Sequence, residues 1–307
     1  MYPSPLLFNN VIMEITISNI ILQPITDETT VKFGINLYIL RTDLNHPTIS
    51  GNKLFKLKYN ILEAVRLNCN TLLTFGGAFS NHIAATAAAG KEYEFKTIGI
   101  IRGEKYVPLN PTLQFAESCG MELHYVPRNV YQNKNILQAY VQKEFNSPSV
   151  YFIPEGGSNE PGIKGCEEIT TFIPIDFDYI TVACGTGATL TGIIKSLKTN
   201  QKAIGFQVLK AENYIQNQVE IYLNDSTKNN WNINEQHHFG GYAKIKNELI
   251  SFIKEFEQTH HIPLDYVYTG KMLFGVYDQI KKGFFKKGET IIAVHTGGLQ
   301  GNAGFDY

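Results

Sequence analysis

Arginine is scarce in this chain of 307 residues: Arg41, Arg66, Arg102 and Arg128 are four of the 27 basic side chains, and the other 23 are lysines. Against 28 acidic groups the net charge is -1, so there is no positive surplus to displace counterions from a phosphate backbone, and nucleic acid is excluded as a main partner. No apolar run reaches the ~18 to 20 residues of a membrane span, and even the stretch 84–90 is short and flanked by polar groups. Residues 1–31 hold no lysine or arginine but carry Glu14, Asp27 and Glu28, the wrong charge pattern for a secretory leader, so a cytoplasmic protein is expected. Cys69, Cys119, Cys166 and Cys184 are widely spaced, with no C-x-x-C pair and no histidine at zinc-finger spacing; buried reduced thiols are expected, and no metal. Repeats and low-complexity tracts are missing too.

What is present is an alternation. Apolar, β-branched runs predict strands at 37–40, 71–75, 97–101, 123–126, 150–153, 179–183, 203–208 and 290–294, and helical period predicts helices at 53–66, 81–89, 189–197, 244–257 and 271–281. Such order marks an α/β protein with parallel sheets, and several strands are apolar enough to be covered on both faces. The Asn-rich stretch 224–236 reads as a long surface connection. At about 150 residues per domain, the length predicts two domains.

Six segments hold residues with chemistry to offer. In Gly51-Asn52-Lys53-Leu54-Phe55-Lys56 a turn delivers Lys53 to a helix start, where partial desolvation and nearby cations would lower its amine pKa and favour a Schiff base. Taken alone, it reads as a solvated surface lysine. Cys184-Gly185-Thr186-Gly187-Ala188-Thr189 joins an apolar strand to a helix, a junction whose N–H groups and hydroxyls can cradle phosphate. Leu190 stands where a dinucleotide fingerprint needs glycine, and no Gly-Lys-Ser/Thr follows, so neither of those phosphate motifs applies. Gly76-Gly77-Ala78-Phe79-Ser80-Asn81-His82 sets hydroxyl, amide and imidazole at a helix start, suited to a carboxylate or simply to capping. Tyr242 and Tyr268 each lie near glycine, ready to stack or to pass a proton, or only to pack. His295 opens the loop after the last strand, as a ligand group or a core histidine.

Taken together and in this order, the segments from Gly51 to Gly298 resemble the fold-type II, tryptophan synthase β-subunit-like enzymes that use pyridoxal 5′-phosphate. Within them, they are similar to the 1-aminocyclopropane-1-carboxylate deaminase and D-cysteine desulfhydrase family. The resemblance implies two parallel-sheet α/β domains, a smaller one at 56–150 and a larger one from 1–55 with 151–307, the site in the cleft between them, and a homodimer. It implies Lys53 as the residue holding the cofactor, Lys56 near its phosphate, Asn81 on its phenolic oxygen, and Gly185, Thr186, Gly187, Ala188 and Thr189 around the phosphate. Ser80, Asn81 and His82 would meet the carboxylate of a small amino-acid substrate, with Tyr242 and Tyr268 beside the reacting carbon. The segment 153–159 also resembles a family segment near the domain junction.

Thr269 and Thr296 stand where ring-opening members have Glu and Leu. Neutral hydroxyls would protonate the pyridine nitrogen less firmly than a carboxylate, which favours elimination over ring opening. The expected activity is therefore D-cysteine desulfhydration. The alternatives are 1-aminocyclopropane-1-carboxylate deamination and, in another class, a non-catalytic phosphate-ligand-binding protein. Phe55 departs from the family's usual Arg.

Overall fold

Two separate sheets take up the strand-forming runs. The computed structural model describes residues 6–8, 11–13, 15–224 and 227–305. Along the chain these form β1 (Leu6–Phe8), β2 (Val11–Met13), β3 (Leu22–Ile25), α1 (Glu28–Phe33), β4 (Asn36–Leu40), α2 (Asn52–Arg66), β5 (Thr71–Gly77), α3 (Asn81–Glu92), β6 (Lys96–Arg102), α4 (Pro111–Ser118), β7 (Met121–Val126), α5 (Arg128–Gln132), α6 (Lys134–Phe145) and β8 (Val150–Ile153). There follow α7 (Glu160–Glu167), β9 (Tyr179–Cys184), α8 (Ala188–Ser196), β10 (Lys202–Gln207), α9 (Tyr214–Leu223), β11 (Trp231–Asn234), α10 (Asn247–His260), α11 (Thr269–Lys281) and β12 (Thr290–Val294).

The six-stranded sheet runs β11-β10-β9-β12-β4-β3 and the four-stranded sheet β7-β6-β5-β8. Every neighbouring pair is parallel except β3 with β4 at one edge. β3 has a neighbour on one side only, so the missing N–H of Pro24 breaks no ladder on the other, and the short Leu-Gln-Pro-Ile run fits there despite its proline. β9 is buried along its whole length, with α8 on one face and α11 on the other, as its apolar run predicts. The stretch 224–236 departs from the expected connection: it contains β11, paired to β10 from Trp231 to Asn234, while residues 225 and 226 lie outside the described residues. An edge strand meets a neighbour on one side only, so its asparagines stay half-exposed and the apolar signature is lost.

Strands β5 and β8 of one sheet and β9 and β12 of the other carry at their carboxyl ends the loops of Ser80, Gly156, Thr186 and Thr296 described next, while Lys53 follows β4, and the loops of Tyr242 and Tyr268 follow β11 and α10. Carboxyl ends of strands are where open parallel sheets place ligands.

Candidate active site

The floor of the cleft is the amino end of α2. Gly51 has φ 72°, and a Cβ there would fall 2.0 Å from the carbonyl oxygen of Thr296, so only glycine lets the 295–298 loop lie against the helix start. Asn52 N–H donates to that same oxygen (3.3 Å), and its side-chain amide donates to Thr189 Oγ1 (2.9 Å), tying α2 to α8. The next residue, Lys53, faces a cavity of about 430 Å³ and donates to Asn52 Oδ1 (3.1 Å). Burial, and then the nearby Lys56, push its ammonium down to about 7, against smaller opposing effects of Cys166 and Asp265. One turn on, Lys56 is buried, donates to the carbonyl of Gly156 (2.9 Å), and is likewise lowered by burial.

Above Lys53 the chain turns from β9 into α8. Gly187, in the left-handed region, precedes the helix, and no side chain caps the first turn. Its N–H groups therefore point to a site between Thr186 and Thr189, both on the cavity wall, with the positive end of the helix dipole behind them. Ser158 Oγ donates to Thr186 Oγ1 (2.6 Å), bracing the loop from the 154–159 segment.

The facing wall is the start of α3. Ser80 caps the helix, its Oγ accepting from Ile83 N–H (3.4 Å). Asn81 and His82 also line the cavity. His82 Nε2 lies 2.8 Å from Thr74 Oγ1, whose own proton goes to the carbonyl of Ile153 (2.9 Å), so Nε2 carries the imidazole proton. Burial, then Lys53 and Lys56, hold the ring well below the usual imidazole range, and it is neutral. Its Nδ1 is buried with no hydrogen-bond partner.

Tyr242 and Tyr268 close the mouth, edge to face with ring centroids 6.1 Å apart. A Cβ on Gly185 would come within 3.2 Å of the Tyr268 ring, which thus lies across the loop. Burial and the neighbouring Tyr242 raise the Tyr268 phenol well above its ordinary value, so it keeps its proton at neutral pH. Two groups the sequence did not single out fix this wall. Asp265 accepts from the backbone N–H groups of Val267 (2.9 Å), Tyr268 (2.6 Å) and Thr269 (2.8 Å), and Lys271, wholly buried, donates to the carbonyls of His238 (2.9 Å) and Gly241 (2.8 Å), pinning the loop that carries Tyr242. An acidic residue just before a helix start was the available signal for Asp265.

The structure thus brings Lys53, Lys56, Ser80, Asn81, His82, Gly185, Thr186, Gly187, Thr189, Tyr242, Tyr268 and Thr296 onto one cavity. Ala188 and Thr269 are not on its wall: Ala188 turns into the core below α8, and Thr269 is fully buried with its Oγ1 unpartnered. His295 is a satisfied core histidine, accepting from Gly297 N–H at Nδ1 (3.2 Å) and donating from Nε2 to the carbonyl of Pro263 (2.8 Å). Cys184 is buried with its thiol pushed up to about 12, which leaves it inert. Phe55 packs edge to face on Phe172 in the core.

Among the described residues neither Lys53 nor Lys56 has a carboxylate within salt-bridge distance, and α8 lacks a side-chain cap. A phosphate ester bearing an aldehyde fits both deficits: the anion at α8 and Lys56, the carbonyl carbon at the amine of Lys53. No group of His, Cys, Asp or Glu among the described residues could hold a metal ion.

Comparisons with known proteins point the same way. The family described as Pyridoxal-phosphate dependent enzyme matches residues 23–297. The bifunctional D-cysteine desulfhydrase/1-aminocyclopropane-1-carboxylate deaminase of Arabidopsis thaliana, a mitochondrial protein, is 32% identical over 298 residues, covering 87% of this chain and 73% of its own. The D-cysteine desulfhydrase of Klebsiella pneumoniae (strain 342) is 27% identical over 288 residues, covering 86% and 87%. The crystal structure of an ACC deaminase homologue aligns with a TM-score of 0.81 at 26% identity, over 97% of this chain and 93% of that one.

Proposed function

Since this chain belongs to the pyridoxal-phosphate dependent enzyme family, we propose that it removes the thiol and the amine from D-cysteine, taking up water and releasing hydrogen sulfide, pyruvate and ammonia. It is an enzyme, and its cofactor is pyridoxal 5′-phosphate. When bound, the cofactor supplies an aldehyde for amines and a ring that draws electrons from the substrate's α-carbon. The protein's own groups do the rest. Ser80, Asn81 and His82 receive the substrate carboxylate at the positive end of α3, and a neutral His82 adds no competing charge. Lys53 Nζ takes the α-proton, a role suited to an amine pushed down to about 7. Tyr268 keeps its proton and so serves as a donor beside the reacting carbon, not as the base. The burial of Tyr268 favours the amine over a tyrosine as the base.

A single observation carries this reading: Lys53, without a carboxylate partner, stands between an uncapped helix start and a carboxylate-type site. Visible absorbance of the purified protein should change on adding D-cysteine, with sulfide and pyruvate released together. A Lys53→Ala protein that still formed a borohydride-reducible cofactor adduct at that position's neighbourhood and turned over D-cysteine would refute the assignment.

The Arabidopsis relative bears both activities in its name, so deamination of 1-aminocyclopropane-1-carboxylate is the second reading. Ring opening would call on Ser80 or a tyrosine hydroxyl, and turnover of the two compounds side by side separates the readings. The proposal also includes closure of a smaller unit, 56–150, on a larger one of 1–55 and 151–307. Support comes from β5, β6 and β7, which lie within 56–150 and share one sheet, while β8 at its edge begins at the boundary residue Val150. It includes a cytoplasmic homodimer, for which light scattering is the test. Four free thiols agree with a reducing compartment, and no helix of the described residues is long and apolar enough to cross a membrane.

A further inference from the structure

Beyond the tyrosine pair the cleft opens into an outer chamber of about 830 Å³ that shares Ser80, Asn81, Arg102, Tyr242 and Tyr268 with the inner cavity. A substrate as small as cysteine has no use for it. Two of the four arginines stand on its wall, and they are the two without a carboxylate partner among the described residues: Arg41 is paired with Asp43 and Arg66 with Glu63. Their placement follows from the fold. Arg102 ends β6 opposite Val126 of β7, and Arg128 lies two residues further along, so both guanidinium groups sit at the carboxyl ends of adjacent strands. The Gly103 N–H donates to the carbonyl of Val126 (2.8 Å), and a Cβ on Gly103 would lie 3.7 Å from Arg128 Nε, which brings Arg128 back beside Arg102. Arg102 rests over the Tyr131 ring, 5.7 Å from its centroid, which orients the guanidinium without neutralising it.

Lys244 adds a third cation to the chamber. Glu104 and Asp265 are the opposing charges on this wall, the oxygens of Asp265 being engaged by backbone N–H groups, and Glu155 shares the inner cavity with Arg102. Tyr125 Oη and Gln300 Nε2, on the same wall, are buried without hydrogen-bond partners. An unneutralised guanidinium pair with spare polar groups around it matches a planar anion. We propose that this chamber is a subsite for an anionic tail on the leaving side of the substrate, so that the enzyme prefers β-substituted amino acids whose departing thiol carries a carboxylate. This rests on the β-elimination reading above and extends it to a substrate class. With S-carboxymethyl-D-cysteine the Cβ–S bond breaks and sulfur leaves with the electron pair, taking a proton as thioglycolate. The α-proton is lost, and water converts the remaining three-carbon fragment to pyruvate and ammonia.

The test compares S-carboxymethyl-D-cysteine with its neutral isostere, S-carbamoylmethyl-D-cysteine, and with D-cysteine, by pyruvate release from the holoenzyme. The carboxylate should be preferred over the amide by roughly tenfold or more in kcat/KM, mainly through KM, as expected for a charge-assisted contact. That ratio should fall towards one in Arg128→Gln and Arg102→Gln. A ratio near one in the unaltered enzyme, or one that neither substitution moves, overturns the subsite while leaving D-cysteine turnover standing. If none of the three yields pyruvate, the elimination reading fails instead, and calorimetric binding of the carboxylate against the amide compound still decides the subsite by the same ratio.

Discussion

Lys53 and Lys271 look alike in sequence, each within two residues of a glycine at the start of a helix, yet their surroundings give them opposite tasks. Lys271 spends its donors on two backbone carbonyls and serves as a strut. Lys53 has a single amide contact and an amine that burial and Lys56 bring to about 7. An amine attacks a carbonyl only when unprotonated, so the rate at which protein stripped of cofactor forms its coloured adduct with pyridoxal 5′-phosphate should rise as pH passes about 7 and then level off. Stopped-flow absorbance checks this; a rate still climbing towards the ordinary lysine range of ~10.4 would show that the amine is solvated.

Elements hold these residues in place through close helix contacts. α7 lies between α2 and α8, and a Cβ on Gly165 of α7 would sit 1.8 Å from the carbonyl oxygen of Phe55. Backbone cannot give way like a flexible side chain, so Gly165→Ala must displace α2, the helix that carries Lys53 and Lys56. We expect a loss of ~1–3 kcal/mol in chemical denaturation together with weaker cofactor retention on dialysis. Gly301→Ala, where a Cβ meets open space, should stay within ~0.5 kcal/mol. Equal effects of the two would mean that the helix contact does not position the lysines.

Across the whole molecule, buried ionisable groups make stability a function of pH. Lys53 and Lys271 are brought to about 7 and about 8 when folded, and Lys56 is lowered too, whereas unfolded lysines titrate near ~10.4. In that window the unfolded chain holds more protons, so stability of the cofactor-free protein climbs with pH. His82 acts with the same sign lower down, because below ~6.5 the unfolded ring gains a proton that the folded ring refuses. The opposite sign comes from the buried thiols of Cys166 and Cys184 above ~8.5 and from Tyr268 and other buried phenols above ~10, which keep protons that the unfolded chain sheds. The urea midpoint should therefore be higher at pH about 9 than at about 7, and a flat or falling midpoint would contradict the burial of these amines.

Sequence by itself determined the local chemistry. Apolar runs and helical period placed the strands of both sheets except the two edge strands β3 and β11 and the short β1–β2 ribbon, and the strand-glycine-helix junctions marked both ends of the site, because those signals arise from neighbours in the chain. What only tertiary structure decided is which side chains share a cavity. Thr269 and Thr296 carry the same hydroxyl, but a helix start buries one while a strand-end loop exposes the other to the cleft. Asp265, Lys271 and Arg102 entered the picture only when distant segments met. Burial, close approach and pairing are set between residues remote in sequence, and no local pattern encodes them.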